Sequence, residues 1–170
     1  MEIRYLADEE VRSRAAEIWG VYDSVFGDQP SYADWLEGML LRHVARDDFR
    51  FAAALEGDRI VGIAWGYIGA AGQYYTDSVR EALGDELADQ WQPAFEIVEL
   101  AVLPAYRRAG TGRSLLHIMT RGLERPALLS TWQDEADPAV RLYRSEGWRT
   151  LGTHTKADGS RTMQIMGWRP

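Results

Sequence analysis

From Phe95 the chain reads Phe-Glu-Ile-Val-Glu-Leu-Ala-Val-Leu-Pro-Ala-Tyr-Arg-Arg-Ala-Gly-Thr-Gly-Arg-Ser-Leu-Leu. No other stretch limits the fold as strongly. Phe95–Val102 has the apolar content of a buried strand, and Pro104 ends it. An Arg- and Gly-rich loop then opens a helix predicted over Gly110–Leu123. The spacing Arg107-x-x-Gly110-x-Gly112 falls where loop becomes helix. Glycine there lets the backbone approach an anion, and the free N–H groups and dipole of a first helical turn favour negative charge. Arg107, Arg108 and Arg113 add positive charge on both sides of the turn. The segment Arg107, Arg108, Ala109, Gly110, Thr111, Gly112, Arg113 and Ser114 therefore reads as a phosphate cradle. The plain alternative is an ordinary glycine loop ahead of a helix.

Two common cradles do not fit. Leu115 stands where the dinucleotide fingerprint needs its third glycine, and no Gly-Lys-Ser/Thr makes a P-loop. The three histidines, His43, His117 and His154, have no metal spacing, so no metal site is expected. No Gly-x-Ser-x-Gly elbow marks a serine hydrolase. The chain has no cysteine, which removes disulfides, thiolate ligands and cysteine nucleophiles. Its net charge of −7 argues against a general nucleic-acid grip. No apolar run approaches a membrane span, and Met-Glu-Ile-Arg-Tyr does not read as a signal peptide. A cytoplasmic protein is expected, a monomer or homodimer, with one domain over residues 1–170.

Glu2–Leu6 reads as a short edge strand. Asp8–Phe26 carries a helical apolar stripe with Asp8 as its N-cap. Gly27–Pro30 breaks it, and Ser31 can cap a second helix through about Ala45. Phe49–Leu55 and Ile60–Ile68 flank Glu56-Gly57-Asp58-Arg59, a hairpin signal. Asp77–Trp91 reads as an extra helix in a long connection. Ala127–Trp132 is a strand, Pro138–Ser145 a helix, and Trp148–Leu151 and Thr162–Trp168 are closing strands around a polar turn at Lys156–Ser160. A hairpin followed by strands alternating with helices implies an α/β fold, with a mixed sheet and helices on both faces.

The cradle spacing resembles the Arg/Gln-x-x-Gly-x-Gly/Ala motif of the GNAT superfamily of N-acetyltransferases, and the element order is similar to the GNAT fold. Asp137-Pro-Ala-Val-Arg-Leu-Tyr143-Arg-Ser-Glu-Gly147-Trp148 resembles that family's Asn-x-x-Ala-x-x-Leu-Tyr-x-x-x-Gly-Phe signature. Here Asp137 replaces asparagine, one residue fewer precedes the tyrosine, and Trp148 replaces phenylalanine. The resemblance implies a central, mostly antiparallel sheet of about seven strands. It implies acetyl-coenzyme A as acyl donor, its pyrophosphate on the cradle and its pantetheine arm along the backbone of Leu100, Ala101 and Val102. It also implies Tyr143 as the acid that protonates the leaving thiolate; the plain alternative is a half-buried aromatic. An amine must lose a proton before it attacks a thioester, and Glu96 or Glu99 is the candidate base. A regular strand puts these two on opposite faces, and a bulge would change that parity. Counting back from the cradle favours Glu96. The expected acceptor is a primary amine on a small cationic molecule, with Asp23, Asp28 and Asp34 as the supporting carboxylates. A protein N-terminus, a lysine side chain, or a non-catalytic acyl-coenzyme A sensor are the alternatives. Phe26–Tyr32, Ala70–Pro93 and His154–Ser160 are expected to frame the acceptor pocket.

Overall fold

Seven strands form in this chain because its apolar runs are short and bounded by glycine, proline and acidic turns. The computed structural model describes residues 1–156 and 159–170; part of the expected polar turn Lys156–Ser160 lies outside them. The strands are β1 (Glu2–Leu6), β2 (Arg50–Glu56), β3 (Arg59–Ile68), β4 (Phe95–Val102), β5 (Ala127–Thr131), β6 (Arg149–Thr155) and β7 (Thr162–Trp168). Their hydrogen-bonded order is β1-β2-β3-β4-β5-β7-β6. The β4–β5 pair is parallel, while β1–β2, β2–β3, β5–β7 and β6–β7 are antiparallel. The sheet is thus the mixed, mostly antiparallel one expected. The helices are α1 (Asp8–Ser13), α2 (Ala15–Val25), α3 (Tyr32–Trp35), α4 (Leu41–Val44), α5 (Tyr74–Leu83), α6 (Asp85–Trp91), α7 (Thr111–Thr120) and α8 (Pro138–Ser145). Among the described residues, no helix is long and apolar enough to cross a membrane.

The chain packs as two units, Met1–Tyr67 with Ile97–Arg121, and Ile68–Glu96 with Gly122–Pro170. In the first, the hairpin turns at Gly57-Asp58, with Glu56 opposite Arg59. Alternation along β2 and β3 sorts its two faces. Phe51, Ala53, Leu55, Ile63 and Trp65 join a core with Val11, Ile18, Tyr22, Trp35 and Leu40. Phe51 lies opposite Trp65, and the rings stack at 5.6 Å and 9°. Such a pair contributes about 0.5–1.5 kcal/mol beyond its area. Ala54 and Gly62 occupy the other face, where a Cβ on Gly62 would stand 3.2 Å from Leu115 of α7. Small residues there admit the helix closely. In the second unit, Val79, Trp91, Ala94, Leu128 and Ile165 make a separate core.

Three local expectations are corrected. Asp8 is the first helical residue and Ala7 the N-cap, with no side-chain cap bond. The stripe from Asp8 is two helices, divided at Arg14 (φ −102°, ψ 14°). The extra helix at Asp77–Trp91 starts earlier, at Tyr74, and splits at Gly84, whose φ of 74° no helix continues. Ser31 does cap, its Oγ accepting from Asp34 N–H at 3.1 Å. A π-helical turn, Leu36–Leu40, joins α3 to α4.

Candidate active site

The loop expected to act as a cradle follows the end of β4. After Val102 a 3-10 turn, Pro104–Tyr106, reverses the chain. Arg107 then folds back, and its Nε donates to Val102 O at 2.8 Å. That bond uses the last strand carbonyl and leaves the guanidinium held on an exposed side chain. Arg108 has φ of 62° and Gly110, the N-cap of α7, has φ of 82°; both are left-handed. Nothing lies within 4 Å of where a Gly110 Cβ would be, so glycine is required there by backbone angle and the space beside it is open. Thr111 is buried and donates to Tyr106 O at 3.1 Å, which fixes the loop against the helix. The helical ladder starts with Ser114 N–H to Gly110 O at 3.0 Å. The N–H groups of Thr111 and Gly112 precede it. Arg107, Arg108, Ala109, Gly110, Arg113 and Ser114 are exposed, whereas Leu115, Leu116, Ile118 and Met119 turn inward. The loop leaves the side chains of Arg107, Arg108 and Arg113 exposed around the first turn of α7, a combination that suits an anion.

On β4, Leu100 is half-buried, while Ala101 and Val102 are buried. The two glutamates differ. Glu99 is half-buried, in the first unit. Its charge acts on Tyr22, whose fully buried phenol donates to Asp28 Oδ1 at 2.7 Å. Burial first, then Glu99 and Asp28, push that phenol far above its usual range. Trp19, Phe26 and Tyr32 surround the group, with Trp19–Tyr22 stacked at 5.9 Å and Tyr22–Phe26 tilted at 4.9 Å. Phe26 and Tyr32 remain exposed.

Glu96 belongs to the second unit and is 1% exposed, the only carboxylate in the buried class among the described residues. Thr76 Oγ1 donates to its Oε1 at 2.7 Å. Nearby on β5, Ser130 Oγ bonds both Tyr75 OH at 3.0 Å and His154 Nε2 at 2.9 Å. Burial, then the charge of Lys156, lower the His154 pKa below its usual value. Tyr143 sits on α8, 7% exposed, its ring tilted against Trp148 at 6.0 Å. Both ends of α8 are fixed. Asp137, the departure from asparagine, caps the start through Ala139 N–H at 2.7 Å. At the other end Trp148 N–H donates to Tyr143 O at 3.0 Å and Gly147 N–H to Arg144 O at 3.2 Å, a Schellman turn with Gly147 left-handed. Tyr143 thus stands on a short helix with little freedom. The contacts of Thr76 and Tyr75 carry no sequence signal, because each reaches a partner far along the chain.

Residues 47–150 match the model of the acetyltransferase (GNAT) domain. A GCN5-like protein acetyltransferase of Mycobacterium tuberculosis is 32% identical over 127 residues, which are 68% of this chain. The chain spans 61% of that relative's length. Among solved structures, an aminoglycoside 6'-acetyltransferase type Ii is similar at 16% identity and TM-score 0.68, over 99% of this chain and 97% of that one. The GNAT-like decarboxylase GphF in complex with isobutyryl-CoA is similar at 17% identity and TM-score 0.68, over 99% of both chains. These two likenesses carry the fold. The domain match, over more than half of the chain, makes the assignment plain: the chain belongs to the GNAT acetyltransferase family.

Proposed function

We propose that this chain transfers an acetyl group from acetyl-coenzyme A to a primary amine by direct attack, as a single functional domain. The observation that carries the reading is the loop Arg107–Ser114. Left-handed Arg108 and Gly110 lead into the first turn of α7, with Arg107, Arg108 and Arg113 exposed around it. This is an anion seat suited to a pyrophosphate. Structurally similar GphF is in complex with isobutyryl-CoA, which supports a coenzyme A thioester as donor.

In this reading Glu96 takes the proton of the acceptor ammonium. The freed nitrogen pair forms the N–C bond at the acetyl carbonyl, which a backbone N–H of Leu100–Val102 polarises. The C–S bond breaks, and Tyr143 gives its proton to the departing sulfur; the acylated nitrogen sheds its second proton, which restores Tyr143, and Glu96 releases its own proton to solvent. A buried carboxylate is costly, and such groups cluster at functional sites, which supports Glu96 over Glu99. The acceptor is read as a small cationic molecule. Glu99, whose charge acts on Tyr22, and Asp28, which accepts from the Tyr22 phenol, together with the neighbouring rings of Trp19, Phe26 and Tyr32, suit an organic cation. The name of the mycobacterial relative favours a second reading, a lysine or N-terminus of a protein. The cytoplasm and a monomeric or homodimeric state complete the proposal.

Thiol release from acetyl-coenzyme A with a panel of free amines and peptides tests it. One thiol per acetylated amine is expected. Tight coenzyme binding with no release for any amine would make the chain a sensor, and acetylation of peptides alone would overturn the small-molecule acceptor.

A further inference from the structure

Gly69, Thr76 and Glu96 are far apart in sequence and meet at one point within the second unit. A Cβ on Gly69 would overlap Glu96 Oε1 and Cδ, and would stand 2.5 Å from Thr76 Oγ1. Gly69 does not have the positive φ of the left-handed glycines, so space and not backbone angle demands glycine here. The volume left empty is the volume the carboxylate fills. Gly69 N–H also donates to Ala94 O at 3.1 Å, which sets the strand end beside the start of β4.

Thr76 is held as firmly. It is the third residue of α5, and its carbonyl accepts from Gln92 Nε2 at 2.9 Å. One turn on, Val79 is fully buried with Trp91, Leu128 and Ile165, so the helix is anchored against the sheet. Leu83 continues the same stripe, 2.7 Å from where a Gly152 Cβ would lie on β6. The hydroxyl therefore reaches Glu96 from a fixed support. Burial favours a protonated carboxyl, and a hydrogen bond donated to the carboxylate opposes that. The contact therefore works against the effect of burial and favours the form of Glu96 that can take a proton.

We propose that Thr76 and Gly69 are positioning residues for the Glu96 carboxylate, so that the segment between β3 and β4 is part of the catalytic machinery. This rests on the reading of Glu96 as base. A lid or a dimer contact would place no hydroxyl on a buried carboxylate and would need no glycine beneath it.

The test compares Thr76→Val, Thr76→Ser, Gly69→Ala and Glu96→Gln in the full chain, by thiol release and by melting. Thr76→Val keeps the shape and removes the donor. It should lower kcat about tenfold, leave the KM for acetyl-coenzyme A within about twofold, and move the acid limb of the pH profile upward. Thr76→Ser should restore both. Gly69→Ala should act in the same direction as Thr76→Val. Glu99 on β4, Tyr74, Tyr75, Asp77, Arg80 and Glu81 on α5, and Arg149 and His154 on β6 are the other titratable groups of these elements. All are unchanged in these variants, so a limb that serine restores reports on Glu96. If Thr76→Val melts lower but keeps kcat and the limb, the bond is only structural and the inference fails. Impaired Glu96→Gln beside unimpaired Thr76→Val overturns the inference alone. Fully active Glu96→Gln overturns the base assignment and the inference together.

Discussion

Tyr143 carries the least ambiguous residue-scale prediction. Its ring packs on Trp148, and its helix is capped at both ends by Asp137 and Gly147. Tyr143→Phe keeps that packing and removes only the hydroxyl. It should lower kcat by roughly ten- to a thousandfold while leaving acetyl-coenzyme A affinity nearly unchanged. Calorimetry beside turnover separates the two, and an equal loss in both would make Tyr143 a packing residue. The glutamates separate by pH. Glu96→Gln should impair turnover most below the pKa of the acceptor amine, where a proton must be removed, and little at high pH. Glu99→Gln should instead raise the KM for the amine, because Glu99 acts on Tyr22 beside the exposed aromatics. Exchange of these two phenotypes would transfer the base to Glu99.

At the scale of elements, the cradle and the helix caps are separable. Gly112 lies within α7 and has no positive φ, so Gly112→Asp adds a negative charge without left-handed strain. It should abolish coenzyme A binding in a protein that still melts cooperatively. Gly110→Asp adds backbone strain to the same charge and should also lower the melting temperature. Ser31→Ala removes the α3 cap and should cost about 1 kcal/mol in stability with coenzyme binding intact. Much of this was legible beforehand. β4, α8 and β7 fall on the residues expected for them, since apolar runs bounded by proline and glycine define their own ends. Ser31 announced its cap because the signal is local. The break at Arg14 has no glycine or proline to mark it. The early start of α5 at Tyr74 was hidden because its core contacts, Val79 among them, lie with distant strands. The support of Glu96 was hidden for the same reason, since a contact twenty residues away leaves no periodicity. The two candidate bases were visible as strand glutamates, with Glu96 favoured by its distance from the cradle; their different burial was not.

For the whole molecule, His43 sets a pH dependence of stability. Trp65 Nε1–H donates to His43 Nδ1 at 3.1 Å, and burial, then Arg46 and Arg42, depress its pKa to about 4. Above pH ~6.5 both folded and unfolded chains hold this ring neutral, and the folded state has its full stability. As pH falls toward 4, only the unfolded chain takes up the proton. The loss should reach about 3 kcal/mol, on the order of 1.4 per pH unit. Melting curves of the wild type and His43→Gln between pH 7 and 4.5 should converge as pH falls; parallel curves would assign the acid sensitivity elsewhere. Lys156 is the only lysine in the sequence, exposed, two residues from His154. An amine-directed label can therefore modify a side chain at one address. Neutralising that ammonium should let the His154 ring titrate closer to its ordinary value, though burial still holds it lower. One covalent tag would thus serve as a spectroscopic reporter on the Ser130–His154–Tyr75 cluster.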